Sequence, residues 1–279
     1  MDIINTLRDY LIKVDCLKLN RLFKWLPFII SLHMSKKQVI PYPGEKKSKK
    51  TQIRQMFDGI STEYDLMNRI ISGGIDIKWR KNVVAMLLPK KPKKILDVAT
   101  GTGDLAIALT ETNATEIIGI DISIGMLDIG KKKVKKHKRN NKIKLEIGDS
   151  EEIGYPTNYF DAVTVAFGVR NFENLGKGLS EIRRVLRPGG DLIILETAVP
   201  QKIPMRQFYH LYTHFIMPFM SWFFSKDITA YQYLSNSANR FPFGMAFNNI
   251  LEKNGFIGIE DIPQTFGVAS IYRAQKPTS

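Results

Sequence analysis

Between residues 93 and 200 the chain alternates short apolar runs with longer amphipathic stretches. Residues 93–99 (KKILDVA), 116–122 (EIIGIDI), 143–149 (IKLEIGD), 160–168 (FDAVTVAFG) and 191–200 (DLIILETAVP) have apolar centres and polar flanks, the pattern of buried strands. Helices are predicted between them over 101–110, over 123–137 with Ser123 at the start, and over 175–190, closed by Pro188-Gly189-Gly190. Strands separated by helices of this length imply βαβ units and right-handed crossovers. The expected fold class is α/β, with a doubly wound, mainly parallel sheet. Residues 200–245 break the rhythm. The run FYHLYTHFIMPFMSWFFSKDITAYQYL is dense in aromatics and Met and reads as an insertion that covers something apolar. The expected organisation is a flexible or interfacial extension over 1–50 and one domain over 51–279. That domain divides into a helical cap (51–92), a cofactor core (93–199), the insertion (200–245) and a closing helix with strands (246–279).

Charge is unevenly spread. The chain has 41 Lys+Arg against 27 Asp+Glu, a net charge of +14. Residues 1–50 carry 11 basic and 4 acidic residues, half of that excess. The balance invites an anionic partner, a lipid surface included. Apolar residues within 3–32 are interrupted by Lys24 and Pro27, too soon for a spanning helix of about 20 residues. An interfacial amphipathic helix is one reading. Met34 as an alternative start of translation is the other. The single cysteine, Cys16, excludes a disulfide framework and a Cys-based zinc site.

The chemistry concentrates at the first strand-to-helix turn, Asp97-Val98-Ala99-Thr100-Gly101-Thr102-Gly103-Asp104. Ligands of open α/β sheets bind at the carboxyl ends of the strands. Gly101 and Gly103 permit a tight turn and close backbone approach. Asp121 ends the second strand, where a carboxylate can accept both hydroxyls of a ribose. Ala106 stands where a dinucleotide fingerprint has its third glycine, and there is no Walker lysine. The acids Asp97 and Asp104 oppose a pyrophosphate and suit a cofactor with an amino group and a sulfonium, S-adenosylmethionine. Asp149 and Ser150, after the third strand, are placed to read an adenine amino group. Thr102 completes the cofactor set. A Rossmann-type nicotinamide enzyme is the competing reading of the turn.

Two stretches then carry a family resemblance. YDLMNRIISGGIDIKWR (64–80) and RVLRPGGDLIILETA (184–198) resemble two signatures of the ubiquinone/menaquinone biosynthesis C-methyltransferases, and AFGVRNF (166–172) and YQYLSNSANRFP (231–242) are similar to further segments. The resemblance covers about 51–276. Departures are Asp76 for the signature His, Arg187 for Lys and Ala198 for Ser. It implies the class I S-adenosylmethionine-dependent methyltransferase (Rossmann-like) fold, with a helical cap and an aromatic-rich insertion. The implied activity is C-methylation of a polyprenylated quinol. The segments FPFGMAF and QTFGVASIYRA are more similar to the menaquinone branch, which implies demethylmenaquinol as acceptor, with a ubiquinone precursor as the alternative. Arg170 and Asn171 are the expected catalytic residues, Arg170 facing a developing phenolate. Tyr64, Asn68, Tyr231 and Arg240 are the expected substrate contacts. Residues 205–235, including Phe208, Tyr209, Tyr212, Phe215, Met217, Phe219, Met220, Trp222, Phe223 and Phe224, are expected to gate an isoprenoid tail.

The remaining signals change little. His210 and His214 lack the glutamate of a zinc motif, and no metal is expected. The basic run 131–139 suits a solvated helix end or anionic phospholipid. A nucleic-acid methyltransferase would answer to the charge. However, the place after strand four reads Phe167-Gly168-Val169-Arg170, without an amino-methylation motif, and Cys16 lies far from the domain. A protein of this fold that only binds a partner is opposed by the intact turn, Asp121 and Asp149. The expected partners are a quinol and the anionic inner face of the membrane, from the cytoplasmic side, with no nucleic acid and a homodimer left open.

Overall fold

Near-continuous apolar runs pair as parallel strands because both of their faces can be covered. The computed structural model describes residues 39–139, 141–216 and 227–278. The chain divides into two units, Met1–Val39 and Ile40–Ser279, and every element below belongs to the second. The segment 3–32 and the aromatic positions 217–226 lie outside the described residues, and so does the side chain of Phe215.

Seven strands form one sheet: β1 Lys94–Val98, β2 Glu116–Asp121, β3 Ile143–Ile147, β4 Phe160–Ala166, β5 Leu186–Thr197, β6 Ile257–Gln264 and β7 Ala269–Gln275. Their order is β3-β2-β1-β4-β5-β7-β6. The first five pair in parallel, and β7 runs antiparallel between β5 and β6. Two apolar clusters cover the faces. One holds Leu96, Val163, Ile194, Phe160 and Phe247; the other holds Ile95, Ala162, Ile193, Leu105 and Trp79. Successive residues of β1 thus go to opposite sides, as the strand period of two requires.

The helices are α1 Lys49–Ser72, α2 Asp76–Leu87, α3 Asp104–Ala108, α4 Ile124–Lys136, α5 Leu175–Val185, α6 Met205–Leu211, α7 Ile228–Arg240 and α8 Met245–Lys253. Ser123 does cap α4, accepting the Met126 N–H. Two boundaries differ from expectation. The helix after the glycine turn is only Asp104–Ala108 before a 3-10 turn takes over at Leu109. Strand β5 begins at Leu186 and runs through Pro188-Gly189-Gly190, with an irregular register against β4 between Phe160 and Ala162. The Pro-Gly-Gly that reads as a helix stop is therefore carried inside a strand, at an irregularity where proline is tolerated.

Helix α1 is the cap. Ile53, Met56, Ile60 and Met67 recur at helical spacing and are buried. Its polar neighbours reach the sheet's carboxyl edge. The Asp58 carboxylate accepts from the Ser123 hydroxyl (2.6 Å) and the Gly125 N–H (2.9 Å). A Cβ at Gly125 would lie 3.0 Å from the Ser61 hydroxyl and 3.2 Å from the Asp58 carbonyl, so the two helices meet there because the position has no side chain.

Gly119 in β2 is a tighter case. A Cβ there would sit 2.6 Å from Leu145 and 2.8 Å from the Thr100 hydroxyl. Gly119→Ala is expected to cost about 1–3 kcal/mol through overpacking. The check is a lower denaturant midpoint at unchanged slope; an unaltered midpoint would mean the neighbours yield freely.

Candidate active site

Strand order reverses between β1 and β4, and the crevice at their carboxyl ends is the natural ligand site. The turn after β1 is left-handed at Ala99 (φ 53°), Gly101 (φ 56°) and Gly103 (φ 77°). Nothing lies within 4 Å of where a Gly101 side chain would begin, so backbone faces open space. Asp121 closes the turn from β2. One of its carboxylate oxygens accepts the Gly101 N–H (2.8 Å), the other the Ser123 N–H (2.9 Å). Each oxygen keeps a second lone-pair direction for a hydroxyl donor. Burial pushes the Asp121 carboxyl up to about 6 against the pull of those N–H groups.

A cavity of about 70 Å³ lies here, with Gly101, Asp121, Asp149, Ser150, Asn171 and Tyr64 among its lining. Asp149 accepts the Glu151 N–H (2.9 Å) and the Lys50 ammonium of α1 (2.6 Å). A second cavity, of about 350 Å³, is lined mostly by aromatic and aliphatic side chains, with Arg170, Asn68, Tyr231 and Asp76 in its walls. Tyr64 and Phe167 line both. Phe167 has φ 57°, the left-handed conformation a bulky residue rarely takes, and its amide is held by the Leu195 carbonyl at 2.7 Å. Burial raises the Tyr64 phenol, with a hydrogen bond from Asn68 acting against it.

Polar groups also lie in and behind the walls of the larger cavity. Arg170 sits on a 3-10 turn, Val169–Asn171, and pairs through one terminal nitrogen with Glu196, which is fully buried at the end of β5. The Arg170 Nε, the Tyr231 hydroxyl and the second Glu196 oxygen are buried without a hydrogen-bond partner among the described residues. Such atoms cost free energy unless a ligand or water satisfies them. Burial alone would lower the Arg170 pKa, but Glu196, Tyr64 and Tyr233 together outweigh it, so the pKa is raised and the guanidinium stays cationic.

Four expected site residues stand apart from these walls. Both oxygens of Asp97 are taken by the Thr100 (2.6 Å) and Thr164 (2.7 Å) hydroxyls, so it ties β1 to β4; burial pushes it up to about 6. Gly103 serves as the left-handed N-cap of α3. The Thr102 hydroxyl donates to Asp65 (2.6 Å) and accepts from Lys133 (3.1 Å). Arg240 is exposed at the end of α7. Asp104 is already neutralised by Arg69 (2.8 Å) and by Lys133. Asp76, the departure from the signature, pairs with Arg69 and Arg80 and accepts the Ser72 hydroxyl at 2.8 Å. Burial would raise its carboxyl, but the two arginines hold it below its ordinary value.

Glu196, Lys50, Phe57 and Phe167 belong to the site and were not singled out from sequence. The glutamate stands in a quoted signature, yet its partner is 26 positions away. Lys50 is one of many lysines, and only a long-range contact marks it.

A sequence profile of the ubiE/COQ5 methyltransferase family matches residues 45–276. The demethylmenaquinone methyltransferase of Bacteroides fragilis is 42% identical over 246 residues, 88% of this chain and 100% of that protein. That of Geobacillus stearothermophilus is 38% identical over 233 residues, covering 83% and 99%. The ubiquinone/menaquinone biosynthesis C-methyltransferase of Geobacter sulfurreducens is 38% identical over 227 residues, covering 81% and 88%. Among solved structures, an S-adenosylmethionine-dependent methyltransferase of Thermotoga maritima has a similar fold, with a TM-score of 0.56 at 17% identity over 80% of this chain and 99% of that one.

Asp121 offers the first test. Asp121→Ala is expected to weaken S-adenosylmethionine binding by about 1.5–3 kcal/mol, the scale of hydrogen bonds to a charged group. Ionised Asp121 is the better acceptor, so affinity should rise as pH increases through about 6 and then level. The sign for folding is opposite. Below about 6 the native carboxyl keeps a proton that the unfolded chain loses near 4, so this group's stability contribution falls as pH rises across that window. Calorimetry across pH on the wild type and on Asp121→Asn checks both. Because Asp97 titrates in the same range, a pH rise that survives in Asp121→Asn would assign it to Asp97 instead.

Proposed function

This chain belongs to the ubiE/COQ5 methyltransferase family, and from that membership we propose that the two cavities are the donor and acceptor halves of one active site. The enzyme is an S-adenosylmethionine-dependent C-methyltransferase of menaquinone biosynthesis, acting on demethylmenaquinol. S-Adenosylmethionine, when bound, supplies an electrophilic methyl group on a sulfonium. The residues of the smaller cavity suit it. Asp121 presents free lone pairs for ribose hydroxyls, and Asp149 with Ser150 presents acceptors for an amino group.

The observation that carries the acceptor half is a large, mainly apolar cavity with Arg170 and Tyr231 in its walls, beside the smaller one. A quinol ring with two hydroxyls fits that chemistry. Its apolar bulk takes the aromatic walls, and its oxygens face Arg170 and Tyr231. Arg170 stabilises negative charge as the quinol oxygen loses its proton, which makes the ring carbon nucleophilic. Tyr64 and Phe167, at the junction, align the acceptor with the donor and exclude water. The cavity volume is within the usual range for small-molecule sites.

The tail must leave this cavity, and the stretch 205–216 marks a way out. Tyr209, Tyr212 and Thr213 line the cavity, while Phe208, Leu211 and Ile216 are exposed on the same stretch. Lys202 precedes it and Arg206 lies within it. This supports peripheral contact with anionic lipid from the cytoplasmic side. No helix among the described residues is long and apolar enough to cross a membrane.

Two experiments bear on this reading. The purified chain should transfer labelled methyl from S-adenosylmethionine to demethylmenaquinol, and Tyr231→Phe should cut kcat/KM about tenfold, the value of one hydrogen bond. Unchanged kinetics in Tyr231→Phe would remove the hydroxyl from the site. A Phe208→Ser/Leu211→Ser double variant should lose flotation with phosphatidylglycerol vesicles while binding the cofactor normally. Retained flotation would place the membrane contact elsewhere.

A further inference from the structure

We propose that Glu196 is a positioning residue for methyl transfer, which fixes both the charge and the aim of Arg170. The inference rests on the reading of Arg170 as the phenolate-stabilising group. Glu196 is fully buried near the end of β5, opposite Ser270 of β7 and one position past the last pair with β4. A carboxylate is costly at such a place and survives only when paired. One of its oxygens collects the Arg170 guanidinium, the Thr197 N–H (2.7 Å) and the Thr197 hydroxyl (3.1 Å). The other collects nothing among the described residues. Glu196 thus spends its hydrogen-bonding capacity on one side, where Arg170 stands.

The effect on the arginine is specific. The guanidinium is tethered by a terminal nitrogen, while its Nε–H is left without a partner in a side chain that lines the acceptor cavity. Its backbone is fixed as well. The Arg170 carbonyl accepts the buried Lys49 ammonium at 3.1 Å, which also reaches the Phe172 carbonyl at 2.8 Å. The next side chain, Asn171, accepts the Tyr233 hydroxyl at 3.1 Å. The chain turn is therefore held by α1 and α7, and the side chain by β5. Without its counter-ion, Arg170 would be a buried cation free to swing toward other acceptors, such as Asp76 in the same cavity wall. Preorganised charge of this kind acts in the transition state and little in ground-state binding.

The test is a double-mutant cycle on kcat. Glu196→Gln keeps the shape and removes the charge. We expect it to lower kcat about 100-fold, the scale for losing one aimed donor, with the quinol KM and the S-adenosylmethionine affinity within about threefold of wild type. Arg170→Gln should fall by a similar factor, and the double variant should be no worse than either single, because the two act as one unit. Glu196→Asp should recover part of the loss. Should Glu196→Gln prove unstable, the double variant removes both buried charges and completes the comparison with Arg170→Gln. Normal kcat in Glu196→Gln beside a crippled Arg170→Gln would overturn this proposal alone. Additive losses in the double variant would also overturn it, since Glu196 would then act independently of Arg170. Normal kcat in Arg170→Gln would instead overturn the active-site reading beneath it.

Discussion

The site depends on one helix that grips the turns after four of the five parallel strands at their carboxyl edge. From α1, Lys49 holds the turn after β4 and Lys50 the turn after β3. Asp58 holds the start of α4 after β2, while Asp65 and Arg69 hold the turn after β1 through Thr102 and Asp104. Positions 50, 58, 65 and 69 repeat near the helical period, so one stripe can address four strands. Any one exposed pair of this kind is worth little. Their shared rigid scaffold makes them matter, because the turns they hold contain backbone at φ 53°, 56°, 77° and 57° that a loose loop would not keep.

That arrangement also explains why the two cavities share a wall. The cap that covers the cofactor turn supplies Tyr64 to the junction and Asn68 to the acceptor cavity from the same face. Lys49 sits at the start of the same helix. Burial lowers its ammonium to about 8, with Glu173 and Glu151 acting against that fall. A lysine so placed is costly, and two backbone carbonyls are the return, fixing the turn that presents Arg170.

Sequence made the sheet legible because its strands are apolar runs bounded by turn residues, and it made Asp121 legible as the acid that ends β2 beside the glycine turn. It could not reveal which acids face a ligand. Asp97 and Asp121 both close strands, both are buried and both are pushed up to about 6. Only the hydroxyls of Thr100 and Thr164, the latter 67 positions away, show that Asp97 is committed to the core. Thr102 and Arg240 lie outside both cavity linings for a similar reason. A turn threonine or a terminal arginine can point to either side, and tertiary partners decide. Glu196 was hidden in an apolar strand whose charge makes sense only beside Arg170.

The place of β7 sets a condition on how the protein is made. β5 is paired with β4 on one edge, but its other edge waits for a strand that begins 269 − 197 = 72 residues later. At a synthesis rate of ~5–20 residues per second, that edge stays open for roughly 4 to 14 s. The segment Leu192–Leu195 is almost wholly apolar and would template pairing with other nascent chains. Biogenesis therefore has a vulnerable interval that the finished sheet conceals. A stall or truncation upstream of residue 269 would leave a chain with most of its cofactor turns and an unsealed, adhesive sheet.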